Sequence, residues 1–160
     1  MPINSEIMMK RTIILCLGLL CTLISCSPKV YPVQSCNLVA DQNNTITLRS
    51  SGFGKQKVEA LDAAERYALE TILFRGVPGS QYSSPLVGIN EEQAHQVNPR
   101  YFKEFFENGR HKSFIMSSVP VSDYSWTKYK AWTISADITI NVVSLRKDLE
   151  QHGVIRRFGL

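Results

Sequence analysis

Four cysteines, three histidines and a few carboxylates are the residues of this 160-residue chain whose chemistry could define a function. Among the cysteines (Cys16, Cys21, Cys26, Cys36), Cys26 has the most informative surroundings. Lys10-Arg11 precede an apolar run from Thr12 to Thr22, and Leu23-Ile24-Ser25 then lead into Cys26. A basic segment, an apolar segment and a small residue before the scissile bond are the order of a secretory signal, which is removed from the mature protein. The run from Thr12 to Ser25 is too short to cross a bilayer, which takes about 20 apolar residues. Pro2 to Ile7 add nothing a signal needs, so Met8 or Met9 serves equally well as its start.

Leu23-Ile24-Ser25-Cys26 resembles the lipobox of bacterial lipoproteins. The resemblance implies cleavage before Cys26, a diacylglycerol thioether on its sulfur and an acylated amino group, with acyl chains of the palmitate kind. Each buried CH₂ of such chains contributes about 0.8 kcal/mol, so several chains hold a protein durably on a membrane. The residue after the cysteine is Ser27, not Asp, which by the same resemblance implies the outer membrane, facing the periplasm, over inner-membrane retention. The other reading of the same residues is a secretory signal without lipid, with Cys26 an ordinary cysteine. The expected organisation is a signal peptide over 1–25, a lipidated tether over 26–44 and a single domain over 45–160.

Removal of 1–25 takes Lys10, Arg11 and Glu6, so the mature charge is (18 − 2) − (14 − 1) = +3. The basic residues are scattered, unlike the clustered face of a nucleic-acid binder, so no nucleic-acid partner is expected. Lys128/Lys130 and Arg156/Arg157 are the local concentrations. Solvated surface is their first reading and attraction to anionic lipid the second. With Cys16 and Cys21 gone and Cys26 acylated, Cys36 has no intramolecular partner, and stability must come from packing. It has no CxxC spacing and no basic or histidine neighbour to activate it.

His95, His111 and His152 are far apart and in no metal-ligand spacing, so no metal or cofactor is expected. Gly54-Lys55 lacks the spacing of a phosphate loop. There is no nucleophile elbow, Cys/His signature or paired-carboxylate motif. Glu91-Glu92 read as solvated. No catalytic residue is assigned, and the expectation is a protein that is not an enzyme.

The elements that would position a binding surface are legible in part. Pro28 and Pro32 stiffen the tether toward extended conformations. Thr45 to Arg49 alternates and is β-branched, as in a strand. Ser50-Ser51-Gly52-Phe53-Gly54 reads as the turn into a long Ala-rich helix, about Lys55 to Phe74. On that helix Val58, Leu61, Ala64, Ala68, Leu69 and Ile72 share one stripe, while Ala60, Ala63, Tyr67 and Phe74 form a narrower second one. Two apolar stripes imply a helix lying on a sheet and partly covered behind, with alanines allowing close approach. Glu65 falls within the main stripe and reads first as a rim or a hydrogen-bonded carboxylate and second as a buried functional one. Asp62, Arg66 and Glu70 are i, i+4 charges.

Gly76 to Val97 has no clear periodicity and reads as a long crossover that Leu86, Val87 and Ile89 pin to the body; loops of this length are often binding loops. Asn98-Pro99 starts a short helix as cap and N1, and Gly109 stops it. Its Tyr101, Phe102, Phe105 and Phe106 read first as core and second as a patch for a partner, with Tyr82 of the crossover beside them. His111 to Val121 and Trp132 to Val142 read as a hairpin, with Pro120 favouring an edge or bulge. Ser144 is the expected cap of a last helix that Gly153 stops.

The sequence therefore predicts an α+β fold: a small three-stranded, mostly antiparallel sheet with the long Ala-rich helix and the short aromatic helix on one face. The strand ending in Gly52-Phe53-Gly54, the helix with Glu59-Ala60 and Asp62-Ala63-Ala64, and the alternating hairpin resemble small bacterial envelope lipoproteins. These are the group related to a Helicobacter lipoprotein antigen and to the N-terminal domain of a sodium-driven flagellar ring component. The resemblance covers roughly Thr45 to Val143, departs at the long 76–97 segment, and implies a non-enzymatic role in the cell envelope. The expected function is that of an accessory or assembly component, held to the membrane through Cys26, that binds another envelope protein. Tyr82, Tyr101, Phe102, Phe105 and Phe106 are the candidates for that contact. The alternative is a module that binds a small molecule, glycan or peptidoglycan fragment.

Overall fold

The structure is a computed structural model and describes residues 33–156. The expected signal peptide, Cys26, the first part of the tether and Arg157 lie outside the described residues.

Five strands form one antiparallel sheet: β1 (Cys36–Asp41), β2 (Thr45–Gly54), β3 (Ile115–Pro120), β4 (Ser125–Trp126) and β5 (Trp132–Asn141). Their order is β1-β2-β5-β3, and β4 also pairs with β5. Among the described residues four α-helices accompany the sheet: α1 (Lys57–Glu70), α2 (Glu91–Val97), α3 (Pro99–Phe102) and α4 (Val142–Gln151). Helices α1 and α3 run on into π-helical turns, Thr71–Arg75 and Lys103–Glu107, and a 3₁₀ turn covers Arg110–Phe114. The class is α+β, as expected, but the sheet has five strands instead of three.

Three differences account for the larger sheet. The stretch read as tether contains β1, an edge strand that pairs Cys36 with Ser50 and Asp41 with Ile46. The expected hairpin is present, with β3 and β4 as one arm and β5 as the other, but β5 is central in the sheet. It pairs with β2 along its whole length, and β3 and β4 share its other side. Finally, β2 does not stop at Arg49 but continues through Gly54, opposite Trp132.

Packing explains that continuation. On the helix side of β2 lie Ile46, Leu48, Ser50, Gly52 and Gly54, all buried. The side chains shrink along the strand as α1 closes in. A Cβ at Gly52 would overlap the Ala60 carbonyl oxygen and the Ala64 nitrogen, and one at Gly54 would overlap Glu59 and Ala60. Helix α1 tapers the opposite way: Ala60, Ala64 and Ala68 come first, then Leu69, Ile72 and Leu73, all of them fully buried. The glycines serve close approach here and do not make the turn that the sequence suggested. Ala60, from the expected second stripe, heads the buried one, whereas Val58 is 68% exposed. Glu59 accepts the backbone N–H groups of Lys55 (2.7 Å) and Gln56 (3.3 Å), which caps the helix start.

The far end of α1 is capped by the crossover. Leu86 N–H donates to Ile72 O (3.1 Å) and Val87 N–H to Leu73 O (3.0 Å), satisfying carbonyls that a helix end leaves open. Gly76 makes the exit at φ +75°, tight against the Ser83 backbone. Gln81 binds both carboxylate oxygens of Asp41. Leu86 and Val87 pack on the core as expected, whereas Ile89 is 86% exposed. The segment also contains α2, capped by Asn90 at the Gln93 N–H.

Asn98 precedes Pro99 at the start of α3, although its side chain makes no capping bond, and Gly109 follows the helix at φ +76°. Helix α4 begins before the expected cap: Asn141 accepts from the Ser144 N–H (2.9 Å), so Ser144 is already inside it. In β5, Ile134, Ala136, Ile138 and Ile140 are buried while the alternate residues are not. The outer face of the sheet carries Thr47 bonded to Thr139 (3.0 Å) and Arg49 paired with Asp137 (2.8 and 2.9 Å).

Candidate functional site

The aromatic helix puts its rings inside. Tyr101, Phe102, Phe105 and Phe106 are all buried, at 8%, 1%, 0% and 6% exposure. They contact one another, with centroids 4.9 Å apart for Phe105 and Phe106 and 5.1 Å for Tyr101 and Phe102. They are core and do not form an exposed patch. The reason is local: Pro99 and Asn98 set the helix start so that residues 101, 102, 105 and 106 face the core. Tyr82 is half-buried against the core from the crossover.

The histidines border this cluster. His95 stacks on Phe102 at 4.5 Å. His111 is buried, and its Nδ1 lies 2.8 Å from Phe105 O. A carbonyl only accepts, so Nδ1 carries the hydrogen and Nε2 is a buried acceptor without a hydrogen-bond partner among the described residues. Burial pushes the His111 imidazole below its ordinary pKa; the Phe105 carbonyl opposes this, Lys112 adds to it, Glu65 opposes it and Arg66 adds to it.

Tyr101 is the ring with a polar partner. It donates to Asp148 Oδ2 at 2.8 Å, and Arg110 donates to Asp148 Oδ1 at 2.9 Å while lying 4.8 Å over the Tyr101 ring. Burial, followed by the Asp148 hydrogen bond and charge, drives the phenol well above its ordinary pKa. An open cleft of about 540 Å³ beside this group is lined by Val97, Pro99, Tyr101, Glu104, Arg110 and His152. Tyr101 and Arg110 are committed to Asp148, while Asn98, Arg100 and Glu104 also line the cleft.

The carboxylates are partnered separately. Glu65 accepts from Ser118 Oγ (2.7 Å) and is 4.0 Å from Lys112, so of the readings open to it the hydrogen-bonded one holds. Asp62 pairs with Lys112 at 2.6 Å instead of with Arg66, which takes Glu70 at 2.7 Å. Glu91 is 3.5 Å from Arg75, and Glu92 accepts from Gln96 at 3.3 Å. The Cys36 thiol is half-buried; burial raises its pKa, against the hydroxyls of Thr71 and Ser50 and the charge of Arg75.

A group of exposed apolar residues lies elsewhere, along β3 and the segment that follows. Met116 is 62% exposed, Val119 55%, Val121 41%, Trp126 56% and Tyr129 40%. Register explains why. A shift between Ile115 and Ser117 sets Ser118 opposite Ile138, on the helix side, and Val119 opposite Asp137, on the outer side. Apolar residues are thus turned out and a serine in. A period-two reading puts apolar residues inside and misses this. The one usable signal was Val119-Pro120-Val121, two valines of the same parity flanking an edge proline.

Both edges of the sheet carry such irregularities, at Leu38/Ala40 in β1 and Ile115/Ser117 in β3, with Pro120 on the latter. These features blunt an edge against pairing with another strand. No protein-family model matches this chain, and neither does any curated protein or any solved structure.

Proposed function

We propose that this chain is a lipid-anchored lipoprotein of the bacterial cell envelope. In this reading its domain is a non-enzymatic accessory or assembly component that binds another envelope protein. The anchor is Cys26, on the strength of Leu23-Ile24-Ser25-Cys26 and the segments before it. The observation that carries the binding role is the exposed apolar set of Met116 and Val119 on β3 and Val121 just after it, beside a sheet face that no helix covers among the described residues. Contiguous exposed apolar residues rimmed by polar ones are the usual mark of a protein contact. The separate pairing of Glu65, Glu91, Glu92 and His95 supports binding over catalysis, since general acid–base work needs such groups around one reacting centre.

The ligand-binding alternative rests on the cleft beside Tyr101, Arg110 and His152. It ranks second because Tyr101 and Arg110, two of the polar groups lining the cleft, already satisfy Asp148.

The test is site-specific photocrosslinking in intact cells, with the crosslinker at Met116 or Val119 and, as control, at Lys147 on α4. Cys26→Ala is run alongside. One discrete protein adduct from β3, absent from Lys147 and diminished by Cys26→Ala, is the expected result. Adducts of equal strength from both positions, or none, would overturn the docking role. A membrane pool unchanged by Cys26→Ala would overturn the anchor.

A further inference from the structure

We propose that the end of the sheet carrying the β4–β5 turn docks on an anionic membrane surface. Register fixes which groups share that end. Gly54, the last residue of β2, pairs with Trp132, the first of β5, and Trp126 pairs with Trp132 from the other side. The turn between β4 and β5 extends past this row. It is closed by Thr127 N–H to Ala131 O (2.9 Å) and Lys130 N–H to Thr127 O (3.1 Å), with Lys130 at φ 55°. Helix α1 starts at the same end, since Lys55 and Lys57 follow Gly54 directly.

The chemistry of this end is that of a membrane interface. Trp126 and Tyr129 are large, amphipathic and half-exposed. The Lys57 ammonium lies 4.9 Å from the Trp132 ring centre and 5.5 Å from that of Tyr124, and Lys128 lies 5.2 Å from that of Tyr129. Tryptophan and tyrosine rings settle at the headgroup level, and lysine stems lie along apolar surface while the ammonium reaches the phosphates. Lys55, Lys57, Lys128 and Lys130 are met here by Glu59 and Asp123, an excess of 4 − 2 = +2. Glu59 is moreover occupied by the N–H groups of the helix start. Lysine is depleted in protein–protein interfaces, which favours lipid over a protein as the occupant.

The path of the chain points the same way. Strand β1 is antiparallel to β2, so going back from Asp41 to Cys36 moves toward the Gly54–Trp132 row. Ser35 continues that path, donating to Ser51 Oγ (2.8 Å) and accepting from Ser51 N–H (2.9 Å). Cys26 precedes Val33 by 33 − 26 = 7 residues. An extended chain of that length spans at most about 25 Å. This argument from the chain path rests on the anchor reading; the lysines and aromatics of the turn do not.

The segment 31–160 is a compact unit that contains the whole core, so it can be studied without Cys26 and without lipid. The experiment is co-sedimentation with phosphatidylcholine vesicles, with and without about one-third phosphatidylglycerol, at low and high salt. Binding to the anionic vesicles alone, weakening as salt rises, is expected. Lys128→Gln with Lys130→Gln should weaken it about 30-fold, from about 1 kcal/mol for each basic residue at an anionic surface. In a Trp132→Phe background Trp126 is the sole tryptophan, and its emission should shift to the blue on binding.

Absence of binding at low salt, equal binding by the double lysine variant, or an unchanged Trp126 emission would each overturn the proposal. Thermal melts of the variants separate lost binding from lost folding. The anchor reading fails separately, in the fractionation of Cys26→Ala.

Discussion

Gly52 lies against Ala64 so closely that a Cβ on the glycine would overlap the Ala64 nitrogen and, beside it, the Ala60 carbonyl oxygen. Both neighbours are helix backbone, which cannot swing aside as a side chain can. Gly52→Ala must therefore push α1 off the sheet. The expected cost is about 1–3 kcal/mol, typical of overpacking. It would be read as a lower urea midpoint with an unchanged slope. An unchanged midpoint would mean that the helix and sheet are not held this close.

Tyr101→Phe removes one of the two donors to Asp148 and leaves the ring in place. Asp148 keeps Arg110, and the loss should be about 1–2 kcal/mol. Because Tyr101 and Arg110 bond different oxygens of one carboxylate, their effects should not add. A double-mutant cycle of Tyr101→Phe and Arg110→Ala measures that coupling; strict additivity would contradict the shared acceptor.

How much of this was legible in the chain follows from what periodicity can and cannot encode. The alternation of Trp132 to Val142 reports one buried face, and β5 has it. It carries no information about neighbours, so the hairpin with β3 and β4 was legible while the pairing of β5 with β2 on its other side was not. In Gly52-Phe53-Gly54 the signal for a turn and the signal for close backbone approach are the same residues, and only the helix lying over them separates the two. Cys36–Asp41 is a six-residue edge strand, half-buried at every second position, and its pattern is too weak to stand out beside Pro28 and Pro32. The aromatics Tyr101 to Phe106 were legible as a helical face but not as buried or exposed. The outward turn of Val119 depends on an irregularity in β3 that leaves no mark in composition.

The Cys36 thiol should be slow. The thiolate is the reactive form, and burial raises the pKa of this group. In the segment 31–160 it is the sole cysteine, so alkylation by iodoacetamide can be followed directly. The native protein should react more slowly near neutral pH than the same protein unfolded in urea. Equal rates would show that the thiol is neither shielded nor perturbed.

His111 makes stability depend on mildly acidic pH. Its folded pKa lies below the ordinary 6.5, chiefly because burial penalises the charged ring. Lys112 and Arg66 push the same way, while the Phe105 carbonyl and Glu65 push back. The unfolded chain thus binds the proton more readily than the folded one. Stability from this group is complete above about pH 6.5 and declines as the pH falls from there toward the folded value. His111→Asn keeps a donor for the Phe105 carbonyl and removes the titration. Urea unfolding between about pH 8 and about pH 5 should then show a shallower loss of stability for His111→Asn than for the native protein. His95 and His152 are common to both proteins, so the difference isolates His111. Parallel pH profiles would mean that the buried imidazole takes up its proton as readily folded as unfolded, and that Nε2 finds an acceptor when charged.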